Sequence, residues 1–228
     1  MWFFKMRTIQ ELNANSVVSE ERMLELRKRA HVLIVDDDVQ GRLDDNLRRS
    51  GFSNVAIMRD VERIQDVEPF HVVLVDICGV GGKLGVAGDN LPYEGLSLAE
   101  EIKRQYPLKK VIAYSAMLTN YESNYILKTI VDSSFEKGTK IDERNKAIDK
   151  CLQDISDPRK IWDHFRKKLL DADVPINQVA RMEDYYVKQI CGHKALDKEK
   201  ILSFLKSSAS LVGIIKDLIG LVSVFGAV

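Results

Sequence analysis

Short apolar runs alternate with segments of helical spacing between residues 31 and 155 of this chain. Continuous apolar runs of this kind are typical of strands that are buried on both faces of a sheet. They predict strands at 31–35, 55–58, 71–75, 111–114 and 131–135. The segments between them predict helices, with apolar positions that include Leu43, Leu47, Leu96, Ile102 and Ile148. Strands alternating with helices indicate an α/β fold, in which helices cover both faces of a parallel sheet.

The two ends of the chain predict helices without strands. Residues 1–30 form a predicted leader, whose helix starts near Ser19 and ends in a basic run. In residues 156–228 the spacing predicts helices at 161–170, 179–190 and 198–225, broken near Pro175 and Gly192. We therefore expect a helical leader at 1–30, an α/β domain at 31–155 and an all-helical region at 156–228.

The composition is that of an ordinary soluble protein. Of 228 residues, 45% are hydrophobic and 30% are charged, which argues against a disordered chain. Lysine plus arginine and aspartate plus glutamate each number 34, so the net charge gives no reason to expect non-specific nucleic-acid binding. Three widely spaced cysteines exclude a disulfide framework and indicate a reducing cytoplasm.

Neither end predicts export or a membrane span. The apolar start, Met1–Phe4, is followed at once by Lys5 and is too short for a signal peptide. The last 20 residues are mostly apolar, but Lys216 and Asp217 near their middle would be costly in lipid. Membrane association is therefore not expected.

Polar side chains follow four of the predicted strands. Asp36 and Asp37 end the first strand, Asp76 ends the third, and Ser115 and Lys137 follow the last two. The carboxyl ends of parallel strands meet at one edge of a sheet, where ligands bind in open α/β folds. Three carboxylates there are costly to ionise without a cation, and oxygen ligands favour Mg²⁺. A hydroxyl and an ammonium group beside that ion suit the oxygens of a phosphoryl group.

This set of motifs resembles the receiver domain of bacterial two-component response regulators. The matching segments are Leu33–Asp38, Val73–Asp76, Ala113–Ala116 and Phe135–Lys137. The resemblance covers roughly half of the chain. It implies a flavodoxin-like sheet of five parallel strands in the order 2-1-3-4-5.

The resemblance also implies roles at the strand ends. Asp36 and Asp37 would hold Mg²⁺, with Asp37 as the more direct ligand. Asp76 would accept a phosphoryl group from a histidine kinase or phosphotransfer protein, and would itself be a metal ligand. The backbone carbonyl of Cys78 would complete the metal site.

Two further residues would bind the phosphoryl group. The resemblance implies that Ser115 binds one phosphoryl oxygen and moves toward it on activation, while Lys137 pairs with another. The reaction would then depend on Asp76 and Lys137. Such domains are phosphorylation switches and are not generally regarded as enzymes.

The sequence departs from the family pattern near these residues. Gly138 stands where a proline usually follows the lysine. The switch aromatic usually lies three residues before the lysine, where this chain has Ser134, and Phe135 follows it. The loop after Asp76 contains an insertion at 79–90, which would either cover the phosphoryl group or bind a partner.

The last predicted helix, 198–225, has a wide apolar stripe that needs a covering surface. We expect it to pack on the other C-terminal helices, on the same helix of a second subunit in a homodimer, or on a partner protein. Few basic residues follow position 170, and no basic recognition helix is evident, so DNA binding is not favoured.

Two other functions remain open at this point. The chain would be a non-phosphorylated adaptor if it kept the receiver fold only to bind proteins. Asp36-Asp37-Asp38 after an apolar strand also resembles the motif of haloacid dehalogenase-like phosphatases, with Asp36 as nucleophile and Asp38 as acid and base. That reading lacks the late acidic pair the family requires, and it leaves Asp76 without a role.

Overall fold

The computed structural model describes residues 8–13, 18–38, 43–84, 94–116, 118, 124–205 and 209–225. The Cα positions separate into two compact units. We call residues 23–152 the sheet unit, and residues 1–22 with 153–228 the helical unit. The functional division at 1–30, 31–155 and 156–228 stays a prediction.

The strands are β1 (His31–Val35), β2 (Asn54–Met58), β3 (Val72–Asp76), β4 (Lys110–Ser115) and β5 (Ser133–Glu136). They form one parallel sheet in the order β2-β1-β3-β4-β5. The predicted flavodoxin-like fold class and strand order are therefore confirmed. The strand bounds agree with the apolar runs to within a residue or two, and β5 begins later than predicted.

The helices of the described residues follow the predicted alternation. They are α1 (Glu20–Arg29), α2 (Leu43–Arg49), α3 (Glu94–Gln105), α4 (Asn124–Ile130), α5 (Ile141–Ser156), α6 (Pro158–Asp171), α7 (Ile176–Cys191), α8 (Lys198–Phe204) and α9 (Ala209–Phe225). Short 3-10 helices lie at Ile9–Asn13, Ile64–Val67 and Gly82–Leu84. The sequence predicts a helix over residues 121–130, and residues 121–123 of it lie outside the described residues.

The core of the sheet unit explains the continuous apolar runs. All five residues of β3 are buried, as are the last four of β1, because each strand has neighbours on both sides and cover on both faces. One core cluster joins residues of β1, β3 and β4 to Leu98, Ala99 and Ile102 of α3. Rigid central strands place the residues at their carboxyl ends in fixed positions.

The N-terminal helix belongs largely to the sheet unit. Met23 and Leu26 are buried. The Arg27 guanidinium donates to both carboxylate oxygens of Asp149 at 2.8 and 2.6 Å, and to the backbone oxygen of Ser50 at 2.7 Å. This bidentate arginine–carboxylate geometry is the strong form of an ion pair. It fixes α1 against α5 and the end of α2.

Two histidines pair at the amino-terminal edge of the sheet. The His31 backbone N–H donates to Nδ1 of His71 at 2.9 Å, and the His71 backbone N–H donates to the His31 backbone oxygen at 2.8 Å. Burial, then the nearby His31 and Lys109, lowers the pKa of His71 to about 4. The imidazole is therefore neutral in the folded protein at neutral pH.

Replacing His71 by asparagine should flatten the dependence of stability on pH. The unfolded chain binds a proton at this histidine below about pH 6.5, while the folded chain does so only below pH 4. Stability from the neutral imidazole is thus present above pH 6.5 and is lost as the pH falls toward 4. We expect about 2 kcal/mol of unfolding free energy to be lost between pH 7 and pH 5 in the wild type.

Asparagine keeps an acceptor for the His31 N–H and does not titrate. His71→Asn should therefore lose about 2 kcal/mol less than the wild type over this pH interval, measured by urea unfolding at pH 7 and pH 5. Equal losses in the two proteins would show that His71 does not titrate with a lowered pKa.

The helical unit has an aromatic centre. Trp162 of α6 stacks on Tyr186 of α7, with ring centroids 5.2 Å apart. The indole N–H donates to Glu183 at 2.8 Å, and the Tyr186 hydroxyl donates to the Pro158 oxygen at 2.8 Å. The polar atoms of Trp162 and Tyr186 thus both have a partner, as buried polar groups require.

The predicted single helix at 198–225 is wrong. Leu205 has an extended conformation (φ −106°, ψ 133°), so α8 ends at Phe204 and α9 begins at Ala209. The sequence between them, Lys206-Ser207-Ser208, carries two serines, which favour helix ends over helix interiors. The apolar periodicity continued across this point and concealed the break.

The apolar face of α9 is covered within its own unit. The helix packs against α6 and α8. Its buried residues are Leu211, Ile215, Leu218, Leu221, Val222 and Phe225. This is the first of the three coverings that the sequence allowed, and a homodimer through this region stays a prediction. Within the described ranges, no helix has the length and apolar character needed to cross a membrane.

Candidate functional site

The carboxyl-terminal edge of the sheet gathers the polar residues that follow the strands. Asp36 comes directly after β1, Asp76 is the last residue of β3, and Ser115 is the last residue of β4. Lys137 comes directly after β5. The parallel arrangement predicted this convergence, and β1, β3 and β4 are adjacent in the sheet.

Three carboxylates form an acidic cluster at this edge. One oxygen each of Asp36, Asp37 and Asp76 lies within 4.8 Å of the others. Asp36 and Asp76 are buried, with 8% and 4% of their surface exposed, while Asp37 is exposed. Ligands of octahedral Mg²⁺ lie at most about 4.2 Å apart, so small side-chain rotations would bring these oxygens around one ion. The donor set fits a small, hard divalent cation.

Lys137 provides the positive charge of the site. Its Nζ lies 2.7 Å from Oδ2 of Asp76 and 3.2 Å from Oδ2 of Asp36. Partial burial alone would lower the pKa of Lys137, but the bonds to Asp76 and Asp36 outweigh it and raise the pKa. The ammonium group is therefore charged at neutral pH.

The carboxyl group of Asp76 is held in an unfavourable environment for a charge. Burial, and then the negative charge of Asp36, raises its pKa, while the bonds from Lys137 and the Cys78 N–H oppose that rise. The Cys78 N–H donates to Oδ1 at 3.1 Å, and Lys137 holds Oδ2. Both carboxylate oxygens thus have a fixed partner, which orients the group.

Ser115 and Cys78 lie beside one another at the same edge. The Ser115 side chain is buried, and its Oγ is 3.8 Å from Sγ of Cys78. The Cys78 side chain is exposed. The structure therefore brings together Asp36, Asp37, Asp76, Cys78, Ser115 and Lys137, all six residues that the sequence selected.

The loop after β3 begins in close contact with the acidic cluster. Gly79 has a positive φ of 87°, and a Cβ there would lie 2.6 Å from Oδ2 of Asp37. A Cβ on Gly95, at the start of α3, would lie 2.3 Å from the Asp76 backbone oxygen. Only glycine permits such approaches. Residues 85–93, which include the end of the predicted insertion at 79–90, lie outside the described part.

Sequence reasoning missed Asp60, which anchors this loop. Its carboxylate accepts the backbone N–H groups of Val61, Gly81 and Lys83 at 2.8, 2.6 and 3.0 Å. The signal was present, because Asp60 follows β2 at the same edge of the sheet. One residue, Arg59, separates it from the end of the strand, so the strand pattern alone did not mark it.

Tyr114 was also missed. Its hydroxyl donates to Oδ2 of Asp36 at 2.8 Å inside the protein. Its ring stacks on Phe135, with centroids 5.8 Å apart, and lies 5.4 Å from the Lys137 ammonium. A tyrosine next to the last residue of a buried strand needs a partner for its hydroxyl, and this was the available signal.

The position three residues before Lys137 carries Ser134 where an aromatic residue would be expected from the motif. The Ser134 side chain is exposed, and Phe135 is buried against Tyr114. An inward-facing phenylalanine in this stack is part of the core. The usual serine–aromatic coupling therefore has no aromatic group at its customary position in this chain.

No protein-family model matches the sequence, and no match to a curated protein was found. Solved receiver domains of response regulators resemble the structure, and they belong to the family that the strand-end motifs resemble. The receiver domain of NtrX from Brucella abortus is 22% identical, covering 54% of this chain and 98% of that one, with a TM-score of 0.44.

A response regulator from Thermotoga maritima is 21% identical over 54% of this chain and 97% of its own, with a TM-score of 0.41. Chemotaxis protein CheY4 of Vibrio cholerae is 17% identical over 54% and 98%, with a TM-score of 0.42. The matched region spans 27% of the longer NtrX structures from Brucella abortus.

Proposed function

We propose that this chain is a phosphoacceptor signalling protein. Mg²⁺-dependent transfer of a phosphoryl group from a histidine kinase or phosphotransfer protein to Asp76 would alter the protein–protein contacts of the C-terminal helices. The observation that carries the proposal is the environment of Asp76. Its carboxylate lies 2.7 Å from the Lys137 ammonium and within one cluster with Asp36 and Asp37.

The reaction needs a nucleophile, fixed positive charge and a place for a cation. An oxygen of the Asp76 carboxylate attacks the phosphorus of a phosphohistidine, and a P–O bond forms as the P–N bond breaks. The electron pair of the P–N bond returns to the histidine, which leaves as neutral imidazole after taking up one proton. The product is an acyl phosphate on Asp76.

The other residues of the site would position the phosphoryl group. Lys137 keeps its charge beside Asp76 and pairs with one phosphoryl oxygen, while the Ser115 hydroxyl binds another. Asp36, Asp37, Asp76 and the backbone carbonyl of Cys78 would hold Mg²⁺, with Asp37 as the more direct ligand. When bound, the ion supplies positive charge to the oxygens of the group in transfer.

The proposed protein is a switch and not an enzyme with turnover on a separate substrate. Its three cysteines are free, which suits the cytoplasm. The input partner is a kinase or phosphotransfer protein. The output partner is a second copy of the chain or another protein, engaged by the helical region.

The proposal is tested by incubating the full chain with acetyl phosphate and Mg²⁺, or with acetyl phosphate and EDTA, and measuring the intact mass over time. We expect a gain of about 80 Da, one phosphoryl group, only with Mg²⁺. Hydroxylamine should remove it, because hydroxylamine cleaves acyl phosphates and leaves phosphoserine intact. The hydroxylamine treatment therefore distinguishes phosphorylation of Asp76 from phosphorylation of the neighbouring Ser115.

A chain that binds Mg²⁺ but gains no mass at any time point would contradict the proposal and favour the adaptor function. A gain of mass that resists hydroxylamine would move the acceptor to a hydroxyl group. Release of inorganic phosphate without any adduct on Asp76 would favour the phosphatase.

A further inference from the structure

Tyr114 occupies a row of residues that crosses the sheet at its functional edge. Asp76 on β3 lies opposite Tyr114 on β4, and Tyr114 lies opposite Phe135 on β5. Residues opposite one another in a parallel sheet share a face. The tyrosine ring is therefore on the same face of the sheet as the Asp76 carboxylate.

The ring has little freedom to move. Tyr114 is 2% exposed and stacks on Phe135 at an angle of 27°. The Lys137 ammonium lies 5.4 Å from its centroid, within the range of a cation–π contact. Since tyrosine has only two side-chain torsions, this packing fixes the position of the hydroxyl.

That hydroxyl completes the hydrogen bonding of Asp36. Oδ1 of Asp36 accepts the Asp38 backbone N–H at 3.0 Å, and Oδ2 accepts the Tyr114 hydroxyl at 2.8 Å. Donors on both oxygens restrict the rotation of the carboxylate to small angles. The Lys137 ammonium also contacts both oxygens, with its Nζ 3.2 Å from Oδ2 and 3.3 Å from Oδ1.

We propose that Tyr114 is a positioning residue for the cation site, which orients Asp36 toward Asp37 and Asp76 by sharing Oδ2 of Asp36 with Lys137. Without the hydroxyl, Lys137 would be the side chain left holding Oδ2 of Asp36, and a tighter pair with Asp36 would draw the ammonium away from Asp76. The acidic cluster would then offer a cation fewer well-placed oxygens. The inference rests on the proposed function, since it assumes that the cluster binds a divalent cation.

The test compares Tyr114→Phe with Tyr186→Phe. Both substitutions remove the hydroxyl of a buried tyrosine that makes a 2.8 Å hydrogen bond, but Tyr186 belongs to the helical unit and donates to the Pro158 oxygen. Mg²⁺ binding to each full chain is measured by isothermal titration calorimetry, and stability by urea unfolding. Groups that orient metal ligands typically contribute about 10–100-fold to affinity, so we expect Tyr114→Phe to bind Mg²⁺ about tenfold more weakly.

The Tyr186→Phe chain should bind Mg²⁺ as the wild type does, although its urea midpoint falls. Weaker binding by both variants in proportion to their lost stability would overturn the positioning role. Unchanged affinity in Tyr114→Phe would overturn it while leaving the proposed function intact. A wild-type chain that binds no Mg²⁺ would overturn both the positioning role and the Mg²⁺ dependence of the proposed function. The phosphorylation assay would then test separately whether Asp76 is an acceptor.

Discussion

The Asp76→Asn variant is expected to take up no phosphoryl group from acetyl phosphate in the presence of Mg²⁺. The amide has no anionic oxygen to attack phosphorus, and it removes one of the three carboxylates of the acidic cluster. Asparagine keeps the shape of aspartate, and its side-chain oxygen still accepts the Cys78 N–H. Intact-mass measurement should therefore show loss of the whole adduct from a folded protein.

Two controls separate the acceptor from its neighbours. Asp142→Asn makes the same substitution at an exposed position in the first turn of α5, and it should retain the full adduct. Ser115→Ala removes the hydroxyl beside the site and should still form a hydroxylamine-labile adduct. An adduct of wild-type size on Asp76→Asn would place the acceptor elsewhere. If Asp36→Asn abolished that adduct instead, the result would favour the phosphatase hypothesis, in which Asp36 is the nucleophile.

The Asp132→Ala variant is expected to lose about 3 kcal/mol of unfolding free energy at neutral pH. Asp132 pairs with Lys103 and Lys110, each at 2.9 Å, and it also accepts the Val111 N–H at 2.9 Å. Burial would raise its pKa, but the two lysines outweigh burial and lower it. Alanine would leave two partly buried ammonium groups without this carboxylate, and such losses are costly.

The matched control is Glu25→Ala, which breaks the exposed ion pair with Lys28. Exposed pairs add little to stability, so its urea midpoint should stay close to that of the wild type. The lowered pKa sets the sign of the pH dependence: the contribution of Asp132 is present above the unfolded pKa near 4 and is lost as the pH falls. An Asp132→Ala chain as stable as Glu25→Ala at pH 7 would show that the lysines find other partners.

Much of the sheet unit was predictable from the pattern of apolar and polar residues along the sequence. Strands buried on both faces, such as β1 and β3, have no polar face, so each apolar run marks its strand almost to the residue. The edge strand β5 (Ser133–Glu136) is short and half exposed, and its bounds were less accurate. The break between α8 and α9 was missed because apolar spacing continues through it, while the helix end depends on the conformation of Leu205.

The site was predictable where function depends on the last residue of a strand. Asp36, Asp76 and Ser115 were found because parallel strands all end at the same edge. The contributions of Asp60 and Tyr114 depend on where a loop returns and on which way a ring points. Those features follow from packing between segments far apart in the chain, and spacing alone does not encode them.

The charged groups at the two ends of the strands have different local sums of charge. Around Asp132, two lysines meet one aspartate, a local sum of plus one among these groups. At the other edge, three aspartates meet Lys137, a local sum of minus two. Lysines thus outnumber the carboxylate at the first edge, whereas Lys137 offsets only part of the negative charge at the second. The two ends of the strands therefore have local charges of opposite sign, so the sheet attracts cations at its carboxyl-terminal edge and anions at its amino-terminal edge.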